Sequence, residues 1–94
     1  MALKFEWSPD KARSNFAKHG VSFDEAATVF QDVLSIAISD PLHSEDEERF
    51  VLIGCSYLNR VVVVVHTERG DGVRMISARK ATKRERSRYE ENAK

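Results

Sequence analysis

Between Val61 and Lys80 the chain reads VVVVVHTERGDGVRMISARK, in which one imidazole, His66, is followed by Arg69, Arg74, Arg79 and Lys80. These residue types suit the handling of phosphate. An arginine fork matches two phosphate oxygens at once and stays charged at any working pH. His66 is the side chain of this stretch whose ordinary pKa, about 6.5, lets it give or take a proton near neutrality. Cleavage of RNA by transesterification needs little beyond that: a base for the 2′-hydroxyl, cations for the phosphorane-like transition state and an acid for the leaving oxygen. Each residue also has a plainer role. An imidazole at a strand end is more often a hydrogen-bonded structural group, and Arg74 and Arg79 can pair with Glu47, Glu48 or Asp71 instead of a substrate. The same basic surface would equally serve a module that binds RNA or an acidic partner and cuts nothing.

The elements that must position these groups follow from local signals. Five valines in a row predict a buried strand, and a polar loop of five residues, Glu68 to Gly72, leads into a return strand from Val73 to Arg79. A symmetric closure of that hairpin sets His66 opposite Arg74; a slip of one residue would send each side chain of the slipped strand to the other face. After it, Thr82-Lys83-Arg84-Glu85 is a capping box, which opens a C-terminal helix to Asn92 carrying Arg84, Arg86, Arg88 and Tyr89. Tyr89 either stacks on a base or packs the helix on the sheet.

Earlier in the chain, Phe5 and Trp7 alternate in F-E-W, which predicts an edge strand or an arm that packs its aromatics on the core. Ser8-Pro9 marks a helix start and Gly20 a left-handed stop, with His19 at the helix end. Ser22 and Glu25 form a second capping box, with Val21 and Ala26 placed for a hydrophobic staple. From Val33 the pattern VLSIAIS predicts a strand that Asp40-Pro41 ends. An acidic loop containing His43 follows, then a strand from about Glu47 through Arg49 to Tyr57, with Leu58-Asn59 as a two-residue turn into the valines. The order is ααββββα. An antiparallel four-stranded sheet with helices on one face is the simplest α+β arrangement of these elements.

At 94 residues, with 41% hydrophobic and 32% charged residues, the chain is expected to be one domain spanning 1–94. No apolar run is long enough to cross a membrane and MALKFEWSPD lacks the apolar stretch of a signal peptide, so the expected compartment is the cytoplasm. The zero net charge conceals a split: residues 1–59 hold 5 Lys+Arg against 10 Asp+Glu, and residues 60–94 hold 10 against 5, giving halves of −5 and +5. The second half is therefore the one suited to a polyanion. Cys55, the sole cysteine, reads as a small core residue. The three histidines, Cys55 and the acids show no metal-ligand spacing.

Five ordered motifs, F-E-W-S-P-D-K-A, N-F-A-K-H-G-V-S-F-D-E-A, H-S-E-D-E-E-R, V-V-H-T-E-R and I-S-A-R-K-A-T-K-R-E-R-S-R-Y-E, resemble the BrnT family from Phe5 to Glu90. The resemblance implies a RelE-like fold and a ribonuclease toxin of a bacterial type II toxin–antitoxin system that cleaves RNA and halts translation without metal or cofactor. Its implied partners are RNA and a BrnA-like antitoxin with a ribbon-helix-helix part, in a hetero-oligomer that meets DNA only through the antitoxin. By matching motifs, His66, Arg69 and Arg79 are the expected catalytic residues, with Arg74, Lys80 and Tyr89 contacting RNA.

Overall fold

Consecutive valines on a strand must face alternate sides, so the run at 61–65 calls for apolar cover on both faces of its sheet. In the computed structural model, which describes residues 3–39 and 48–93, that is how the chain folds. Val62 and Val64 pack with Val21, Phe23, Ala26, Val29, Leu52, Val73, Met75 and Ala78 on one face. Val63 packs with Ile53 and Tyr89 on the other. The elements are β1 (Lys4–Glu6), α1 (Pro9–His19), α2 (Phe23–Thr28), a 3₁₀ turn (Val29–Gln31), β2 (Ile36–Ser39), β3 (Arg49–Cys55), β4 (Val61–Arg69), β5 (Gly72–Lys80) and α3 (Lys83–Asn92). Helices thus cover both faces, α1 and α2 on the Val62/Val64 side and α3 on the Val63 side, where the sequence reading put them on one.

The sheet has five strands in the order β1-β5-β4-β3-β2, and β1 lies parallel to β5 while the other pairs are antiparallel. This corrects the expected four-stranded antiparallel sheet and the order ααββββα. F-E-W becomes an edge strand because its aromatics have seats on the helical face: Phe5 meets Phe30 at 5.1 Å between ring centres, and Trp7 meets Phe23 at 5.7 Å. Beyond the reach of β1 the outer edge of β5 is closed by one side chain. Asn15 of α1 accepts from the Ala78 N–H at 3.1 Å and donates to the Ala78 carbonyl at 2.9 Å, standing in for a neighbouring strand.

Both hairpin turns differ from expectation. β4 and β5 stay paired out to Arg69 and Gly72, leaving a two-residue turn at Gly70-Asp71 with Gly70 at φ 60°, the glycine-first pattern of a II′ hairpin. Between β3 and β4 the loop is Tyr57-Leu58-Asn59: the Asn59 N–H donates to the Ser56 carbonyl at 2.9 Å, and Asn59 takes a left-handed φ of 62° in place of a glycine. β2 starts at Ile36 and not Val33, because Asp32 accepts from the Leu34 N–H at 3.0 Å and holds an Asx turn there. The Ser22 cap forms, accepting from the Glu25 N–H at 3.0 Å, but the Glu25 carboxylate goes elsewhere. It is buried and takes bonds from Ser56 at 2.7 Å and from the Arg60 guanidinium, Nε at 2.7 Å. The Thr82/Glu85 box closes in both directions. The expected acidic loop with His43 lies outside the described residues.

Candidate functional site

The short turn at Gly70-Asp71 moves the hairpin register by one residue, and that decides which side chains meet. His66 stands opposite Met75, not Arg74, and Arg74 stands opposite Thr67. In step with Val62 and Val64 along β4, His66 lies on the face covered by α1 and α2, and the register shift takes Arg74 to the other. His66 is 4% exposed, edge-on to Phe30 at 4.8 Å and stacked near Phe50 at 5.8 Å. Burial pushes its imidazole below the usual 6.5 against the opposing pull of Glu68, which leaves the ring neutral near pH 7. Its Nδ1 has no hydrogen-bond partner among the described residues.

The cationic groups collect on the other face. Counting back from Ile53 through Val51 reaches Arg49, and counting forward from Val63 through Val65 reaches Thr67, so both share the side on which α3 packs. Arg49, Thr67 and Arg74 are directly paired across β3, β4 and β5, with Glu6 of β1 beside Arg74. Arg69, two residues beyond Thr67, keeps to this face and lies 4.0 Å from Glu6.

A break in the β4–β5 ladder brings Arg79 to the same face. Val65 pairs with Ser77 but His66 pairs with Met75, so Ile76 is an extra residue, a β-bulge. Arg74 and Arg79 are five residues apart and would face opposite ways on a regular strand; the bulge puts them on one side, about 15 Å apart along β5. Arg79 is held there by α3. Its two terminal nitrogens donate to the two Glu85 oxygens at 2.7 and 2.9 Å, and the same Glu85 accepts from the Thr82 N–H at 2.9 Å. The Arg79 fork drags the Glu85 carboxyl down to about 2. Glu85 is thus a fixed anion at any physiological pH and too weak a base to take a 2′-hydroxyl proton.

Two expected contacts stand apart. Lys80 pairs with Val62 and so turns to the opposite face from Arg79; with Asn59, Arg60 and Arg86 it lines a cleft of about 480 Å³. Tyr89 is 9% exposed among Ile53 and Val63, and its hydroxyl donates to Asp32 Oδ2 at 2.5 Å. Desolvation and that bond push its phenol up to about 12. The ring so placed packs α3 on the sheet. The Cys55 thiol is likewise raised by burial and by Asp32, and the residue is half-buried against the Ile53 and Val63 side of the sheet where the sequence suggested a core position.

Two residues of this face, Arg49 and Thr67, were not among the site residues expected from sequence. The available signal was alternation: Arg49 is the charged residue at the head of an otherwise apolar strand, in step with the α3 face. Its partners depend on pairing that local patterns do not reveal. Among the described residues no group of three or more His, Cys, Asp or Glu could hold a metal ion.

A family model described as "Ribonuclease toxin, BrnT, of type II toxin-antitoxin system" matches residues 7–85, which include every arginine of this face and stop short of Tyr89. No curated protein matches the chain. Among solved structures, the 1.1 Å crystal structure of the Brucella abortus ribonuclease toxin, BrnT, is similar, with 24% identity, 87% of this chain and 100% of that chain covered and a TM-score of 0.64. At that identity the likeness speaks to the fold.

Proposed function

The chain belongs to the BrnT family of ribonuclease toxins of type II toxin–antitoxin systems, and from that membership we propose that it cleaves RNA on the α3 face of the sheet, using Arg49, Arg69, Arg74 and Arg79. The observation that carries this reading is the convergence of four arginines from three strands on one face, two of them brought into line by the bulge at Ile76. In the proposed reaction the 2′-oxygen attacks phosphorus and the bond to O5′ breaks; the 2′-hydroxyl loses its proton and O5′ gains one. Guanidinium groups fixed on a sheet stabilise the charge that grows on the non-bridging oxygens, which supplies the larger part of such a rate enhancement. Proton transfer by a positioned side chain adds about 10² to 10⁴ in rate. His66 faces the other side of the sheet, so we assign it to the core and propose a metal-independent reaction driven mainly by charge stabilisation. The α3 cations Arg84, Arg86 and Arg88 extend the positive surface for the flanking strand, and Lys80, turned to the other face, adds charge at the cleft it lines with Arg86.

In the cell we propose inhibition of translation in the cytoplasm, relieved by a BrnA-like ribbon-helix-helix antitoxin in a hetero-oligomer that meets DNA through the antitoxin alone. The location of His66 also favours a second reading, a module that retains RNA without cutting it. Incubation of the antitoxin-free chain with RNA, with and without ribosomes and with a chelator present, separates the two. Cleavage that is lost in Arg74→Ala and Arg79→Ala, in proteins that still fold and bind antitoxin, supports the first. Retention without cleavage, with log K falling by about 0.7 per neutralised phosphate per decade of salt, supports the second.

A further inference from the structure

Three buried polar side-chain atoms have no hydrogen-bond partner among the described residues: Arg49 Nε, Thr67 Oγ1 and His66 Nδ1. The first two are neighbours. Arg49 and Thr67 are directly paired across β3 and β4 on the α3 face, and Arg74 is paired to Thr67 from the other side. Thr67 is 1% exposed, and its hydroxyl is left with nothing to donate to. An unsatisfied buried donor costs about 1–3 kcal/mol; two in adjacent positions call for an acceptor that would reach both. Arg49 and Arg74 enter no ion pair or side-chain hydrogen bond among the described residues, whereas Arg60 and Arg79 are locked to Glu25 and Glu85. Glu6 is the register neighbour of Arg74 but lies 4.0 Å from Arg69; three donor groups in a row, two cationic and one neutral, with no acid bonded to any of them among the described residues, are complementary to one oxyanion.

Resting on the ribonuclease reading above, we propose that Thr67 Oγ1, Arg49 Nε and the Arg74 guanidinium form a seat for a single RNA phosphate, with Thr67 donating to one non-bridging oxygen and the two arginines closing over it from β3 and β5. Neighbouring strands lie about 4.8 Å apart, so the two arginine backbones are about 10 Å from each other and both side chains reach the space above Thr67. Among the described residues the arginines flanking Thr67 hold no side-chain hydrogen bond or ion pair, so lifting them onto a phosphate breaks none of these. Arg79, about 15 Å further along β5, then contacts a different phosphate of the same strand. The seat is made for a phosphodiester oxygen; an acidic side chain of the antitoxin is the competing occupant and an outcome of the test.

The test compares wild type with Thr67→Val, which keeps the branched shape and removes the hydroxyl, and with Thr67→Ser, which keeps the hydroxyl. Inorganic phosphate is titrated into the isotope-labelled full chain while the Arg49 Nε–H resonance is followed, and a 2′-O-methylated RNA that cannot be cleaved is used for affinity. The seat predicts a saturable Arg49 shift in wild type and Thr67→Ser. In Thr67→Val it predicts a shift and an RNA affinity weakened about 10- to 100-fold, the loss of one bond to a charged group, with no fall in melting temperature. A lower melting temperature in Thr67→Val would show the hydroxyl already satisfied and would overturn the seat. So would an unchanged Arg49 response, or an antitoxin that loses affinity for Thr67→Val while the non-cleavable RNA does not. If wild type cleaves RNA and Thr67→Val cleaves it equally well, the seat fails and the ribonuclease reading stands. If wild type cleaves nothing yet phosphate shifts Arg49 through Thr67, the seat stands and the ribonuclease reading fails.

Discussion

Replacing Glu85 by glutamine separates two jobs that Arg79 holds in one place, anchoring α3 and presenting charge to RNA. Glutamine keeps an oxygen for the Thr82 N–H and so preserves the capping box, but it removes the anion that binds both terminal nitrogens of Arg79. The drop of the Glu85 carboxyl from 4.5 to about 2 has the Arg79 bond as its first cause. At 1.36 kcal/mol per unit this sets a ceiling of about 3 kcal/mol. Because the Arg79 side chain is 40% exposed, solvent screening brings the expected loss down to about 1–2 kcal/mol. The folded-state pKa lies below the unfolded one, so the contribution is complete above about pH 4.5 and disappears as the pH falls toward 2. Urea denaturation of both proteins across that range should show Glu85→Gln weaker at pH 7 and the difference closing under acid. Freed from its partner, Arg79 should hold RNA at least as well as before, while Arg79→Met should lose both stability and RNA affinity. Equal stability of Glu85→Gln and wild type at pH 7, the same acid response in both, or undiminished RNA binding by Arg79→Met would each refute the reasoning.

The other expectations concern the scaffold. Gly54→Ala should cost about 1–3 kcal/mol in denaturant titration, since a Cβ there would lie 2.8 Å from Val29 Cγ1, 3.0 Å from Ser35 Cβ and 3.2 Å from Asp32 Oδ2. Glu25→Gln leaves Arg60 without its buried counter-ion and should cost about 3–5 kcal/mol, much of it recovered when Arg60→Met is added, as a double-mutant cycle would measure. Tyr89→Phe removes a donor from Asp32 and should lower stability by about 1–2 kcal/mol while leaving RNA affinity untouched; a selective loss of RNA affinity would return Tyr89 to the binding surface. With the His66 pKa depressed by burial, wild-type stability should hold above about pH 6.5 and fall as the pH drops below it, and His66→Leu should flatten that slope. Abolished RNA cleavage in a well-folded His66→Leu would instead give the imidazole a part in proton transfer.

Local signals were most legible at the helix ends. Pro9, Gly20 and the Thr82/Glu85 box mark helix ends through bonds within a few residues of themselves, and the helices start and stop there. Pairings between distant segments were another matter. Nothing near Asn15 says that its amide will close the edge of β5 at Ala78, 63 residues away, and three residues of F-E-W do not reveal a parallel partner at Gly72 to Arg74. The split of charge between the halves pointed to the strands that carry Arg69, Arg74 and Arg79, yet it passed over Arg49, a cation the acidic half contributes to the same face.

The site itself turned on two single-residue shifts. A two-residue turn at Gly70-Asp71 in place of a five-residue loop advances the register by one, which sends Arg74 to the face away from His66 and sets it opposite Thr67, while His66 stays in step with Val62 and Val64 in the helical core beside Phe30. Left there, simple alternation would have carried Arg79 to the helical side with His66. The core forbids it. Val73, Met75 and Ala78 all belong to the same buried cluster although Met75 and Ala78 are an odd number of residues apart, and the chain satisfies this by inserting Ile76 as a bulge. The demand for apolar packing on one face thereby sets Arg74 and Arg79 together on the other. The spacing that looks irregular in VRMISARK is thus what turns a row of arginines into a surface.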